Sequence, residues 1–119
     1  MFKKYKEERP WGSFDRFCHN EKSTVKILTV KSGEELSLQY HLKRDEFWRV
    51  VGGRGLVIID SVEHQAKKGD EFFIPRKAPH QIKAPDHSIE VMEISFGRFD
   101  EHDEVRLSDK YKRETPNNE

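Results

Sequence analysis

Two glycine-punctuated runs constrain this chain more than anything else in it. The first reads Gly33, five residues, Gln39-Tyr40-His41, four residues, Glu46, six residues, Gly53. The second reads Gly69, five residues, Pro75, four residues, His80. Side chains two apart on a β-strand share a face, so Gln39 and His41 point the same way. Glu46 can return to that face after a turn, and His80 can reach it from a later strand. Nitrogen donors from His41 and His80 and oxygen donors from Gln39 and Glu46, converging inside a small β-barrel, make a divalent-metal site.

The segments between the glycines read as short strands. Candidates are 24–31, 36–41, 46–51, 56–60, 62–66, 71–74, 80–83 and 88–96, rich in β-branched and aromatic residues. Turn signals separate many of them: Ser32-Gly33, Asp60-Ser61, Lys68-Gly69-Asp70 and Ala84-Pro85-Asp86. Gly52-Gly53-Arg54-Gly55 is read as a hairpin turn, since it matches no phosphate-binding loop. Short strands at this spacing argue for an all-β antiparallel barrel or jelly roll rather than a βαβ fold. Leu56-Val57-Ile58-Ile59 is apolar on both faces and is expected to be buried on both sides. Three zones are expected within one domain, 1–119. Residues 1–20 form an N-terminal segment whose rings, from Phe2 to Phe17, dock on the body. Residues 24–97 form the barrel core. Residues 98–119 form a charged tail in which 103–111 is a short ordered stretch and 114–119 fray.

Composition closes off several functions. Basic and acidic residues number 22 each, which favours neither nucleic acid nor an acidic membrane as partner. A single cysteine, Cys18, excludes an internal disulfide framework and a cysteine-rich zinc site. Residues 1–9 lack the apolar stretch of a signal peptide, and no run approaches a membrane span, so a cytoplasmic protein is expected. Apolar residues make up 34% and charged residues 37%, a thin core for this length. A homodimer is expected to cover what the chain cannot bury alone, including the face of Leu36, Leu38 and Tyr40.

Each candidate ligand has a plainer alternative. His41 and His80 could be hydrogen-bonded core histidines. Glu46, costly to bury unpaired, could form a salt bridge with Arg44 or Lys43. Gln39 is a neutral, weak ligand that could serve only as a hydrogen-bond partner. Trp48 shares the parity of Glu46 and belongs either to the cavity wall or to the core. His19, His64, His87 and His102 fall outside the pattern and are read as surface residues.

The two runs resemble the paired motifs of the cupin superfamily, with Gln39 standing where the first histidine of the first motif usually stands. Lys77 and Ala84 depart from the second motif at its glycine and asparagine positions. Arg9-Pro10-Trp11-Gly12, the run from Leu36 to His41, and Arg44-Asp45-Glu46-Phe47-Trp48-Arg49-Val50-Val51 are similar to the type II phosphomannose isomerase cupin, as is the tail from Asp103 to Arg113. That resemblance implies a cupin barrel holding one divalent ion (Zn, Mn, Fe, Co or Ni) on Gln39, His41, Glu46 and His80. It implies a small sugar phosphate as ligand, with Arg9, Arg44, Arg106 and Lys43 as phosphate-binding candidates. The activity it implies is metal-dependent aldose–ketose isomerisation, mannose 6-phosphate to fructose 6-phosphate. A non-catalytic metal-containing cupin that binds a sugar or sugar phosphate is the alternative. No residue is singled out as proton-transfer base among Lys43, Asp45 and Glu71.

Overall fold

The computed structural model describes residues 4–113; Phe2 and the 114–119 segment lie outside them. The described residues form β-strands and connecting turns: β1 (Tyr5–Arg9), β2 (Gly12–Arg16), β3 (Ser23–Val30), β4 (Leu38–Tyr40), β5 (Glu46–Ile59), β6 (Val62–Lys67), β7 (Glu71–Ile74), β8 (His80–Lys83), β9 (Ile89–Phe96) and β10 (Val105–Ser108). All ladders are antiparallel. β1 and β2 form a separate hairpin, and the other strands curl into one sheet in the order β10-β4-β8-β5-β9-β3, with β6 and β7 also paired to β5. The barrel expectation therefore holds in its all-β, antiparallel form.

β5 organises everything else. Its first half, from Glu46, pairs with β7 on one edge and β9 on the other. Its second half, to Ile59, pairs with β6 and β8. One strand thus passes from one wall of the barrel to the other. The corner falls at Gly52-Gly53-Arg54-Gly55, where the register against β9 shifts between Val50 and Gly52. This corrects the hairpin reading of these glycines: the chain bends and continues as the same strand. A strand that changes sheets needs a bulge or bend at the corner, and glycine permits the backbone to come close there. Gly53 has φ 67°, and a Cβ on it would lie 2.0 Å from the Ser88 carbonyl oxygen. A Cβ on Gly55 would lie 2.6 Å from the Lys83 oxygen.

The alternation expected of half-buried strands appears along β3 and β9. Val30, Ile89 and Val91 face inward with Trp48 and Val50 of β5, and Val57, Ile74 and Ile82 complete the core. Val57 is fully buried, whereas Leu56, Ile58 and Ile59 are only half-buried. Their apolar run reflects flanking by β6 and β8 at both edges, not layers packed on both faces. Leu36 packs against the core cluster, and β10 pairs with β4, so Leu36, Leu38 and Tyr40 are half-buried within the described residues.

The N-terminal zone is a hairpin rather than a plain extended arm. Tyr5 packs on Phe14, and Arg16 and Arg9 lie over those two rings. Phe17 packs on the barrel with its ring 5.3 Å from that of Phe47, and Lys4 reaches Glu71 at 2.9 Å. Trp11, at the turn, is 74% exposed.

Gly53→Ala combines a left-handed backbone with a backbone clash, and both halves of β5 depend on that corner. The expected outcome is a loss of at least about 2 kcal/mol of stability, measured by denaturant melts. A variant as stable as the parent would show that the corner tolerates a side chain.

Candidate metal centre

The site forms where the two walls joined by β5 face each other. Glu46 begins β5, His80 begins β8, and His41 follows β4. Gln39 on β4 lies directly opposite His80 in the ladder, and His80 lies opposite Ile59 of β5. The turn of Pro75 to Ala78 delivers His80. Its Lys77 has φ 72°, where the related motif carries glycine, and its N–H donates to the His41 carbonyl at 2.6 Å. That bond ties the histidine-bearing loop to the histidine-bearing turn.

His41, Glu46 and His80 are all buried, and one ligand atom from each lies within 4.8 Å of the others. His41 Nδ1–H donates to the Asp103 carbonyl at 2.6 Å, and His80 Nδ1–H donates to the Ala78 carbonyl at 2.9 Å. Both rings therefore present an unprotonated Nε2 to the centre, the tautomer that a metal requires. His41 Nε2 lies 3.6 Å from Glu46 Oε2, and His80 Nε2 lies 3.8 Å from Glu46 Oε1. Glu46 Oε1 and His80 Nε2 are buried without a hydrogen-bond partner. A buried carboxylate oxygen and a buried imidazole lone pair aimed at each other repel unless a cation stands between them. The donor set thus fits a divalent metal.

Burial lowers the pKa of His41 and His80 below the usual histidine value, although Glu46 pulls both upward. Burial pushes Glu46 up, but His41, His80 and Arg44 together hold it below the usual carboxylate range. Neutral imidazoles beside an ionised carboxylate are the protonation states a metal ion selects.

The remaining candidates are placed differently. Arg44 is buried, its Nε donating to Glu46 Oε2 at 2.8 Å and its Nη1 to the Asp100 carbonyl at 3.0 Å. The Gln39 amide, oriented to suit its neighbours, donates to both Glu104 oxygens, at 2.8 and 2.9 Å. Arg106, opposite Gln39 on β10, pairs with Glu104 at 2.7 Å. Arg9 sits on the N-terminal hairpin, paired with Glu7. The Lys43 side chain is exposed, while its backbone N–H donates to Asp103 Oδ2 at 3.0 Å. Of the nameable bases, Asp45 accepts the Arg76 N–H at 2.7 Å and Glu71 pairs with Lys4 and Arg49.

A cavity of about 170 Å³ is lined in part by Gln39, Arg44, Glu93, Phe99 and Arg106. Lys26 and Arg113 add cationic side chains to its walls, and Glu101 and Glu104 add acidic ones. Glu93 is a buried residue of the cavity wall that sequence reasoning did not single out. It accepts the Trp48 indole N–H at 3.3 Å. Trp48 also sets its ring edge against His80, 5.3 Å between centroids, and belongs to the buried core. The inward parity of Glu93 between Val91 and Ser95 on a buried strand was the available signal.

Comparison with known proteins fits this geometry. Residues 2–109 match the family described as "Mannose-6-phosphate isomerase C-terminal". The chain is 36% identical over 107 residues to "Mannose-1-phosphate guanylyltransferase" of Escherichia coli (strain K12), covering 88% of this chain and 22% of that protein. It has the same identity and coverage with "Alginate biosynthesis protein AlgA" of Pseudomonas aeruginosa. The chain therefore spans about a fifth of the length of these relatives. Among solved structures it resembles a cupin 2 conserved barrel domain protein from Rhodopseudomonas palustris, with TM-score 0.63, 20% identity, and 68% and 56% of the two chains covered. A cupin protein from Bacteroides fragilis gives TM-score 0.59 at 23% identity, covering 66% and 70%. The cupin barrel expectation is thereby met. The isomerase expectation is corrected: relatives that share the whole site region are named for guanylyl transfer, a nucleotidyl transfer, not for aldose–ketose isomerisation. Among the described residues no helix is long and apolar enough to cross a membrane.

Burial first, and then the Glu46 charge, push Glu93 up to about 8 from 4.5. A group raised on folding binds more protons in the native state between those two values, so it costs stability as pH rises through that window. Without metal, Glu93→Gln should flatten the fall in stability between about pH 4.5 and 8, by at most about 1.4 kcal/mol per pH unit. Melts across that range test this; parallel curves for parent and variant would contradict it.

Proposed function

Because the chain belongs to the mannose-6-phosphate isomerase C-terminal family, we propose that it serves mannose-1-phosphate guanylyl transfer by holding a phosphorylated mannose at a metal centre. The observation that carries this reading is the buried triad of His41, Glu46 and His80 beside a cavity walled by Lys26, Arg106 and Arg113. One divalent ion per chain, from among Zn, Mn, Fe, Co and Ni, would be held by the triad, with Gln39 opposite His80 as a neutral fourth ligand. Such an ion supplies Lewis-acid charge to a phosphoryl or hydroxyl oxygen.

The protein's own side chains do the rest. Arg106 and Lys26, now paired with Glu104 and Glu101, can exchange those carboxylates for phosphate oxygens. Glu93 and Gln39 line the wall and offer hydrogen bonds to sugar hydroxyls. Arg9 and Lys43 lie outside this set, so the phosphate assignment rests on Arg106 and Arg44, with Lys26 and Arg113 added. The reading takes residues 1–119 as one domain. It gives that domain the sugar-phosphate side of the chemistry and leaves the nucleotide side to the remaining length of such proteins.

Calorimetric titration of protein loaded with Zn, Mn or Co is the test. Mannose 1-phosphate should bind saturably, GDP-mannose should displace it, and His80→Ala should lose both metal and ligand. No binding with any of the three metals would reject the reading.

The homodimer also stands as a proposal. Val25 and Ile27, on the edge strand β3, are 57% and 54% exposed, and Trp11 projects from the hairpin. Such apolar side chains suit an interface. Light scattering should give twice the chain mass; a monomer at high concentration would refute it.

A further inference from the structure

Arg44 makes three polar contacts at once. Nε donates to Glu46 Oε2 at 2.8 Å, Nη1 donates to the Asp100 carbonyl at 3.0 Å, and Nη2 stands 3.3 Å from His41 Nε2. Its guanidinium carbon lies over Phe99 at 4.6 Å, which fixes the plane of the fork. The His41 contact has a definite chemical sense. Since His41 Nδ1–H is committed to Asp103, Nε2 holds the only ring lone pair, and Arg44 is the donor to it. A neutral imidazole has one such lone pair, so it can accept from a guanidinium or bind a metal, not both.

Glu46 is arranged differently. Its Oε2 takes the Arg44 Nε–H and the Ser95 hydroxyl at 3.0 Å, leaving Oε1 toward His80. Ligation through Oε1 and His80 Nε2 can leave the Arg44 Nε bond in place. Only the contact between Arg44 Nη2 and His41 has to break.

We infer that Arg44 and the metal ion are alternative partners of His41, and that metal binding converts Arg44 from a plug of the centre into an anion donor of the cavity. Arg44 already lines that cavity, so an Nη2 group displaced from His41 turns toward the space where the ligand's phosphate is held. Metal loading thereby raises affinity for an oxyanion, and by linkage the oxyanion raises affinity for the metal by the same factor. The inference rests on the metal centre of the proposed function and not on the identity of the sugar.

Chelator competition for Zn²⁺ tests it, on the parent, Arg44→Gln and Arg44→Lys, with and without sulfate as a weakly coordinating oxyanion. Removing the competing donor should tighten zinc binding by on the order of tenfold in Arg44→Gln. Sulfate should tighten zinc binding in the parent and do so several-fold less in Arg44→Gln, where Lys26, Arg106 and Arg113 still line the cavity. Should Arg44→Gln lack a cooperative melt, Arg44→Lys takes its place, because one ammonium cannot span Glu46, His41 and Asp100 together. Zinc affinity unchanged or weaker in the folded variant, or an equal sulfate effect in parent and variant, would overturn the inference. Neither reading involves mannose 1-phosphate, so failure of that ligand to bind leaves this result interpretable on its own.

Discussion

A single buried charge governs the centre of this barrel. Glu46 is fully buried at the start of the strand that joins both walls, and an ionised carboxylate there costs several kcal/mol unless it is answered. The fold answers it with a hydroxyl from β9, a guanidinium from the connection that precedes β5 and two imidazoles from the opposite wall. The two imidazoles and the guanidinium are each held in turn by a backbone carbonyl: Asp103 for His41, Ala78 for His80, Asp100 for Arg44. The carboxylate thus selects tautomers and orientations well beyond its own contacts, and the unanswered Oε1 marks where a cation belongs.

The tail completes this arrangement. Asp103 accepts the Leu42 and Lys43 N–H groups through its carboxylate while its carbonyl takes His41. Phe99 lies over Arg44, β10 zips onto β4, and Lys110 reaches the Gly33 carbonyl at 2.7 Å. Residues 98–113 are therefore a wall of the site, although their composition looks like a solvated extension. Charge-rich sequence reads as surface because charged residues are usually exposed. Here the same residues neutralise one another in pairs, Arg106 with Glu104 and Arg113 with Asp109, around a polar cavity.

What was legible in the sequence followed from local physics. Alternation and turn residues placed most barrel strands within a few residues, and the spacing of His41, Glu46 and His80 placed them on inward faces. What was not legible depended on tertiary choices. A glycine run between two apolar strands is equally compatible with a hairpin and a corner, and only the approach of Ser88 and Lys83 decides for the corner. Arg44 reads as a phosphate ligand or as a partner of Glu46, and the structure places it on Glu46 while leaving it on the cavity wall. Glu93 gave no signal beyond its parity, because its role comes from Trp48 and Glu46 across the sheet. Activity was least legible of all: a barrel and a donor set specify where a metal and a polar ligand meet, and many reactions share that geometry.

The charges of the centre explain why an anion suits it. With Arg44 against Glu46, one positive and one negative charge offset each other, and Glu93, raised to about 8, is held largely protonated near neutral pH. A divalent ion held by the triad, as proposed, would add two positive charges against the same single carboxylate, because His41 and His80 are neutral donors. The low-dielectric surroundings of Trp48 and the inner strand faces leave little water to screen that excess. On the proposed function Glu93 would offset part of it by releasing its proton, and a phosphate brought in beside Lys26 and Arg106 would offset the remainder. The proposed metal centre, with one carboxylate, would in this sense be incomplete without an anionic ligand. A more acidic ligand set would hold the metal more firmly and attract the phosphate less.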